Sequence, residues 1–241
     1  MKEPISHFFE NAGFDPSKIR RYALGEKFAG IMITDGRIGI CAVLDACVDN
    51  AILKGRKKPD LTDHGHRVIL NSYFNAIYNY NGNLPDNSDI INRVDLSVFK
   101  DIVMVGYFES LILKLKGKGI SFRVYDKDKS IQADDLSPID KLPEALAKAD
   151  AVIITGSSVA NNTFSYLVNK TGKNCSVFLL GPSNILHPDM FKYKNIKVVF
   201  GSVFERYDNR ILDLIEEGHG VKSFLTERNK VFIKHNSFNL L

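Results

Sequence analysis

Residues able to do chemistry gather in four short segments of the 241-residue chain, all built from glycine and small polar side chains. They are Gly106-Tyr107-Phe108, the stretch from Thr155-Gly156-Ser157 to Asn161-Asn162-Thr163, Gly181-Pro182-Ser183-Asn184, and Gly201-Ser202-Val203. Glycine lets the backbone approach a ligand closely, and hydroxyls, amides and free N–H groups then cradle an anion or a carboxylate. Asp126 follows Gly106 by twenty residues and ends an apolar run. From there a carboxylate accepts hydrogen bonds from ribose hydroxyls, or it opens the turn Asp126-Lys127-Asp128-Lys129; the sequence leaves both readings open. The single Gly106, where G-x-G-x-x-G would be needed, argues against NAD and FAD.

Metal chemistry has less to work with. Asp60, Asp63, His64 and His66 form the best cluster, a His-x-His in a loop, and Asp63, His64 and His66 are its candidate ligands. Thr62 or Asp63 as a helix N-cap explains the same residues without a metal. Cys41, Cys47 and Cys175 make neither a C-x-x-C pair nor an even disulfide set, which fits a reducing, cytoplasmic setting. Core packing is expected for Cys41 and Cys47, and a buried thiol for Cys175. Lys114, Lys116 and Lys118 read either as a phosphate attractor or as a solvated helix end. Arg56-Lys57-Lys58 is too short for nucleic-acid recognition, and Asp134-Asp135 and Glu216-Glu217, adjacent in sequence, diverge on a helix.

These segments need elements to position them. Residues 27–33 and 37–43 are β-rich runs around Thr34-Asp35-Gly36, a hairpin signal, and Ile69, Tyr73, Ile77 and Tyr80 follow at helical spacing. Strands before helices is an α+β order. The turn-rich residues 82–89 then lead to a boundary near residue 95. Beyond it, apolar runs at 101–105, 122–125, 151–154, 177–180 and 196–200 each end in a glycine or polar loop, with helical patterns at 142–149, 163–169 and 211–217 between them. That alternation predicts a mainly parallel sheet with helices on both faces and a ligand at the carboxyl ends of its strands.

Composition bounds the rest. With 32 Lys and Arg against 28 Asp and Glu, the net charge of +4 is too thin for a nucleic-acid or membrane-surface protein. No apolar run reaches the roughly 18 residues of a membrane span, and the first residues lack a signal's apolar segment.

Gly106-Tyr107-Phe108, residues 155–163, Gly181-Pro182-Ser183, Gly201-Ser202-Val203 and Glu217-Gly218-His219-Gly220 together resemble, in order and spacing, the heavy-metal chelation family, once catalogued only as a domain of unknown function. Gly25-Glu26-Lys27-Phe28 and Asn75-Ala76-Ile77 resemble that family's companion domain. The resemblance implies an enolase N-terminal-like α+β domain over residues 1–95 and a Rossmann-like α/β domain over 96–241. It implies a ligand cleft between them, lined by Gly106, Tyr107, Phe108, Thr155, Gly156, Ser157, Asn161, Thr163, Gly181, Pro182 and Ser183, with Asn75 reaching in from the cap. Asn162, which replaces the family's usual glycine, Gly201 and Ser202 border the same loops. The implied ligand is a transition metal with a flavin-like, mononucleotide-like or tetrapyrrole-type compound. Enolase chemistry is not implied, because in that superfamily it belongs to a barrel domain. Two other readings stay open: a transferase using a nucleoside-containing donor such as S-adenosylmethionine, and a non-enzymatic ligand sensor or scaffold. The expected partner is a small molecule, without nucleic acid or membrane, and a homo-oligomer is compatible. Gly156→Val is expected to abolish ligand retention and leave the fold largely intact.

Overall fold

The Asp35-Gly36 turn, with Gly36 at φ +85°, closes the expected hairpin between β2 (Phe28–Ile33) and β3 (Ile38–Ala42). The computed structural model describes residues 2–81, 89–128, 131, 133–226 and 229–240; most of the predicted 82–89 loop, and Lys129 of the Asp126 turn, lie outside them. A strand that the hairpin signal did not reveal, β1 (Ile19–Leu24), completes an antiparallel three-stranded sheet in the order β1-β2-β3. Arg20 and Arg21 interrupt its apolar alternation. Arg21 is held from a distance, on Asp213 at 2.6 Å, by helix α8 (Asn209–Glu216). Helix α1 (Pro4–Ala12), also unforeseen, packs Ile5 and Phe8 into the main core beside α2 (His64–Tyr78).

The second sheet has six strands: β4 (Ile102–Val105), β5 (Arg123–Tyr125), β6 (Ala151–Thr155), β7 (Ser176–Leu180), β8 (Ile196–Ser202) and β9 (Lys230–Lys234), in the order β5-β4-β6-β7-β8-β9. All neighbours run parallel except β8 and β9, and β9 was not expected. Its two faces follow the strand period of two. Val103, Val152, Ile154, Val177 and Leu179 enter one core with α5 (Leu142–Lys148) and α7 (Phe164–Lys170). Ile102, Met104, Ala151, Ile153 and Phe178 enter the other with α3 (Ile90–Arg93) and α4 (Glu109–Gly117). The molecule is thus a mixed α/β fold with a mainly parallel sheet and a small antiparallel one. Among the described residues no helix is long and apolar enough to cross a membrane.

The small sheet is sandwiched. Helix α2 covers one face, and α8, with α9 (Val221–Phe224), places Leu212, Ile215 and Phe224 on the other against Phe28, Met32 and Ile40. Helix α2 crosses β3 so closely that a Cβ on Gly39 would stand 2.1 Å from the Ser72 carbonyl oxygen. The free edge of β3 is occupied by side chains, residue by alternate residue. The Tyr80 hydroxyl accepts from the Ile38 N–H and donates to the Ile38 carbonyl, Asn75 donates to the Ile40 carbonyl, and Ser183 Oγ accepts from the Ala42 N–H. An edge strand that would otherwise invite pairing is thereby closed, and one of the closing residues comes from a loop of the parallel sheet.

Candidate functional site

The chain leaves β4 for β5 on one side and returns past β4 to β6 on the other, so the carboxyl ends of β4 and β6 flank the topological switch point of the sheet. Both loops there meet. Gly106 sits at φ +111°, and a Cβ on it would lie 2.9 Å from Thr155 Cβ. Thr155 Oγ1 and Ser157 Oγ are 3.1 Å apart at the mouth of the β6 loop. The Tyr107 and Phe108 rings pack partly buried on the α4 side of the sheet. Asp126 Oδ2 accepts from the Tyr107 N–H and Oδ1 from the Asp128 N–H, each at 2.8 Å. Of its two readings, the turn is the one with visible bonds, and Asp126 also clamps the first loop.

Gly181, at φ +117°, belongs to the next loop along. Gly156 is different, because its φ of −60° is ordinary and its role is spatial: an added Cβ would stand 2.7 Å from both the backbone N and Oδ1 of Asn184. The expectation that Gly156→Val leaves the fold largely intact is therefore corrected, since valine would push on backbone that cannot yield cheaply. Asn162, where the resembling family has glycine, stands at φ +62°, and asparagine is among the few residues that tolerate this region. Asn161 Oδ1 accepts from the Thr163 N–H and hydroxyl at 3.2 and 2.7 Å. Thr163 stands at the N-cap of α7 without a side-chain cap bond, and Glu3, at α1's N-cap position, accepts from the Ser165 N–H at 3.3 Å.

Helix α2 grips these loops with residues at every fourth position. Arg67 donates to the Ala160 and Val159 carbonyls of the short helix α6 (Ser157–Ala160), both at 2.7 Å. Asn71 donates to the Ser183 carbonyl at 2.7 Å, and Asn75 reaches the Pro182 carbonyl at 3.4 Å besides its β3 bond. Asn79 donates to the Asn184 and Ser202 carbonyls and accepts from the Leu186 N–H at 2.7 Å. All four are at most 3% exposed. Burial pushes the Arg67 pKa below its ordinary value, and the nearby Glu3 charge opposes the shift. Asn75 is thus brought to the loops; the sequence reading missed Arg67, Asn71 and Asn79, whose four-residue spacing puts them on one face of α2 with Asn75.

The contacts run in a circuit around the strand ends. From Gly156 the chain of neighbours passes to Asn184, then from Ser183 to Ala42 on β3, whose neighbour Val43 donates to the Lys27 carbonyl at 2.9 Å. Lys27 Cδ lies 3.7 Å from where a Gly220 Cβ would be, and Lys222 pairs with Glu109 at 2.8 Å, beside Phe108. Phe108 Cε2 would be 3.3 Å from a Gly106 Cβ, and Gly106 returns to Thr155. The structure therefore brings together Gly106, Phe108, Thr155, Gly156, Ser183 and the Gly25 and Glu217 motifs. Gly201 and Ser202 lie within β8 rather than in a loop: Gly201 packs against Leu186 and the Asn184 carbonyl, and Ser202, 3% exposed, shares the Asn79 amide with Asn184.

Within the joint, Asn71 Oδ1, Asn75 Oδ1, Asn184 Oδ1 and Ser158 Oγ are buried without a hydrogen-bond partner among the described residues.

The His-x-His cluster does not converge. Asp63 Oδ1 caps α2 by accepting from the His66 N–H at 2.9 Å, His66 Nδ1 accepts from the Asp60 N–H at 3.0 Å, and His64 Nδ1 lies 3.4 Å from Asp45 Oδ1. Among the described residues no group of three or more His, Cys, Asp or Glu is arranged to hold a metal ion. Cys41 and Cys175 are buried, which pushes each thiol pKa up to about 12. Cys47 is exposed, against the expectation of core packing, because the chain has already turned off β3 at Leu44. Lys114 pairs with Asp89, and Lys116 with Asp135 at 2.6 Å, as a solvated helix end does.

A crystal structure of a DUF364-family protein of unknown function from Desulfitobacterium hafniense DCB-2 matches with a TM-score of 0.74 at 18% identity, over 96% of this chain and 98% of that one. A second DUF364-family protein of unknown function, from Pyrococcus horikoshii, matches with a TM-score of 0.72 at 17% identity, over 90% and 93%. At these identities the likeness is one of fold. No curated protein matches the chain. The sequence model of DUF364, described as "putative heavy-metal chelation", matches residues 89–234. With more than half of its length matched, this chain belongs to the DUF364 family.

Proposed function

We propose that the protein binds a small organic molecule that carries a heavy-metal ion, at the switch point between β4 and β6 and under the rim formed by the small sheet. The observation that carries this reading is the circuit of contacts from Gly156 through Ser183, Lys27 and Lys222 back to Gly106, which draws segments far apart in sequence to one set of strand ends. The family description supports a metal, and the donor set among the described residues favours its being cargo. With no triple of His, Cys, Asp or Glu among the described residues, a resident protein-held ion does not fit, so the organic molecule supplies the metal's donor atoms. A planar compound of flavin-like, mononucleotide-like or tetrapyrrole type suits the neighbouring Tyr107 and Phe108 rings, and the Thr155 and Ser157 hydroxyls and loop N–H groups serve its polar part. Residues 1–95, as an enolase N-terminal-like cap, form the rim's other side.

The nucleoside-donor reading rests on Asp126, whose two oxygens each hold one loop N–H and keep a further lone pair for a hydroxyl. Native mass spectrometry with elemental analysis of freshly purified protein tests the proposal. A metal and an organic mass leaving together on denaturation is the expected result; a metal retained without any organic mass would refute the cargo assignment.

A further inference from the structure

Beside the edge strand β5, on the face that α5 covers, lies an open cleft of about 280 Å³. Arg123 and Tyr125, two residues apart on β5, line it from the sheet. Lys141 at the N-cap of α5, Glu144 and Lys148 line it from the helix, at steps of three and four residues that put them on one face. Ser137 joins them from the segment that runs parallel to β5, where its N–H donates to the Val124 carbonyl at 2.8 Å. Tyr125 is 1% exposed with its ring in the core under α5, so the floor of the cleft is aromatic while its walls are cationic.

The lining is unbalanced in charge: Arg123, Lys141 and Lys148 face a single carboxylate, Glu144. Lys148 reaches it at 2.7 Å. The Glu144 carboxyl is held below its ordinary pKa by Lys148 first, with Lys141 and Arg123 adding to the shift, so all three cations bear on one place. Arg123 is steadied by Asp101, outside the lining, through one nitrogen: Nη2 donates to its two oxygens at 2.5 and 2.6 Å. Its Nε and Nη1 donors meet no carboxylate among the described residues, and exposed Lys141 forms no ion pair among them.

We propose that this cleft is a second ligand site, independent of the strand-end loops, for a doubly charged oxyanion: a phosphate group, either free or as the monoester of a small molecule. The lining carries a surplus of two positive charges, which a dianion matches and a carboxylate matches by half. The guanidinium fork of Arg123 suits two phosphate oxygens at once, the Lys141 ammonium supplies a point charge, and the Tyr125 and Ser137 hydroxyls donate to what remains. At about 280 Å³ the cleft stands at the lower end of small-molecule sites, roughly 300–1,000 Å³, which suits a small ester and leaves no room for a polymer.

Phenyl phosphate and inorganic phosphate, each titrated into the ¹⁵N-labelled full chain at about 0.15 M salt to screen diffuse attraction, test the site. The backbone amides of Ser137, Lys141, Ala145 and Lys148 are followed. Saturable shifts at these signals, half complete at or below about 2 mM, are expected with at least one of the two. Phenyl phosphate tighter by at least about fivefold identifies the occupant as an ester, and equal affinities identify the free ion. Glu144→Gln removes the competing carboxylate at an exposed position and should tighten binding about threefold, a gain that a merely structural role would not produce. Lys141→Gln should weaken binding about threefold, and Lys118→Gln, at the solvated end of α4, should leave it unchanged. No saturation by either phosphate overturns the proposal. So does equal weakening by the two lysine variants, which would mean that only the general surface charge is felt, and so do shifts that saturate at Gly156 and Gly181 alone, which would place the phosphate at the strand-end loops.

Discussion

The joint and the rim lie side by side around the same strand ends and are built in opposite ways. At the joint, α2 meets β3 and the loop after β7 through long buried side chains whose nitrogens each end on a named carbonyl. At the rim, Gly106, Gly181 and Gly220 leave side chains out, and the bridging pair Lys222 and Glu109 is exposed at 90% and 58%. Position is set by the first and access by the second. A protein that must present backbone to a ligand cannot also fix its loops with their own side chains, so the fixing is done from a neighbouring helix. Substitutions at the joint should therefore act on stability and substitutions at the rim on retention, and the contrast is broken if either crosses over.

The largest effect is expected at Gly39, where α2 lies against β3. Alanine there would bring a methyl to 2.1 Å from the Ser72 carbonyl oxygen and 2.3 Å from the Ala76 N. Helix and strand must part, and a loss of about 4 kcal/mol in urea-unfolding free energy is expected. A loss below about 1 kcal/mol would mean that the joint is softer than its contacts imply. Asn79→Ala comes next. It strips a donor from the Asn184 and Ser202 carbonyls and an acceptor from the Leu186 N–H, all buried, for about 3 kcal/mol in the same measurement.

This contrast explains what the sequence made legible. Five parallel strands were readable, because short apolar runs stopping at Gly106, Asp126, Gly156 and Gly181 carry both the strand and its end in local residues, and only the fifth run passes its glycine, Gly201, and stays in the strand. Strand β1 was not, since Arg20 and Arg21 spoil its pattern and its support, Asp213, lies far along the chain. Within the site, glycine and hydroxyl loops announced themselves by composition. The asparagine face of α2 did not, because an amide buried at every fourth position looks like surface until the loop carbonyls that receive it are known. Ser202 erred the other way: a small polar residue after an apolar run reads as a loop, yet β8 continues through it to pair with Lys230 of β9.

A smaller effect, and a pH-dependent one, is expected where α1 meets the loop after β7. His187 packs edge-on to Phe8 at 5.3 Å and against Tyr78 at 4.7 Å. Its burial there lowers its pKa below the ordinary 6.5, with His7 and Lys192 adding to the shift and Asp189 opposing it. The folded state thus prefers the neutral ring. Its contribution is whole above the unfolded pKa and is lost as pH falls toward the lowered folded value. The midpoint of thermal unfolding should drop between about pH 7 and pH 5, and drop less in His187→Gln. Asp189, held low by Lys192 and His7, adds its own loss only at more acidic pH. Equal pH slopes for wild type and variant would remove His187 from the account.

The smallest effect on stability, and the sharpest test of the contrast, belongs to Lys222. Its bond to Glu109 at 2.8 Å raises the lysine pKa and lowers the carboxylate's, yet both groups are solvated and such pairs contribute little to folding. Lys222→Ala should leave the urea midpoint where it is. The same pair is what ties α9 to the start of α4 beside Phe108, so its loss opens the rim without loosening the joint. The fraction of protein copurifying with an organic mass should fall in Lys222→Ala and recover in Lys222→Arg, which restores a cation of similar reach. A shifted midpoint with unchanged retention would place Lys222 with the joint, and the division of work between the two regions would then be wrong at its most exposed point.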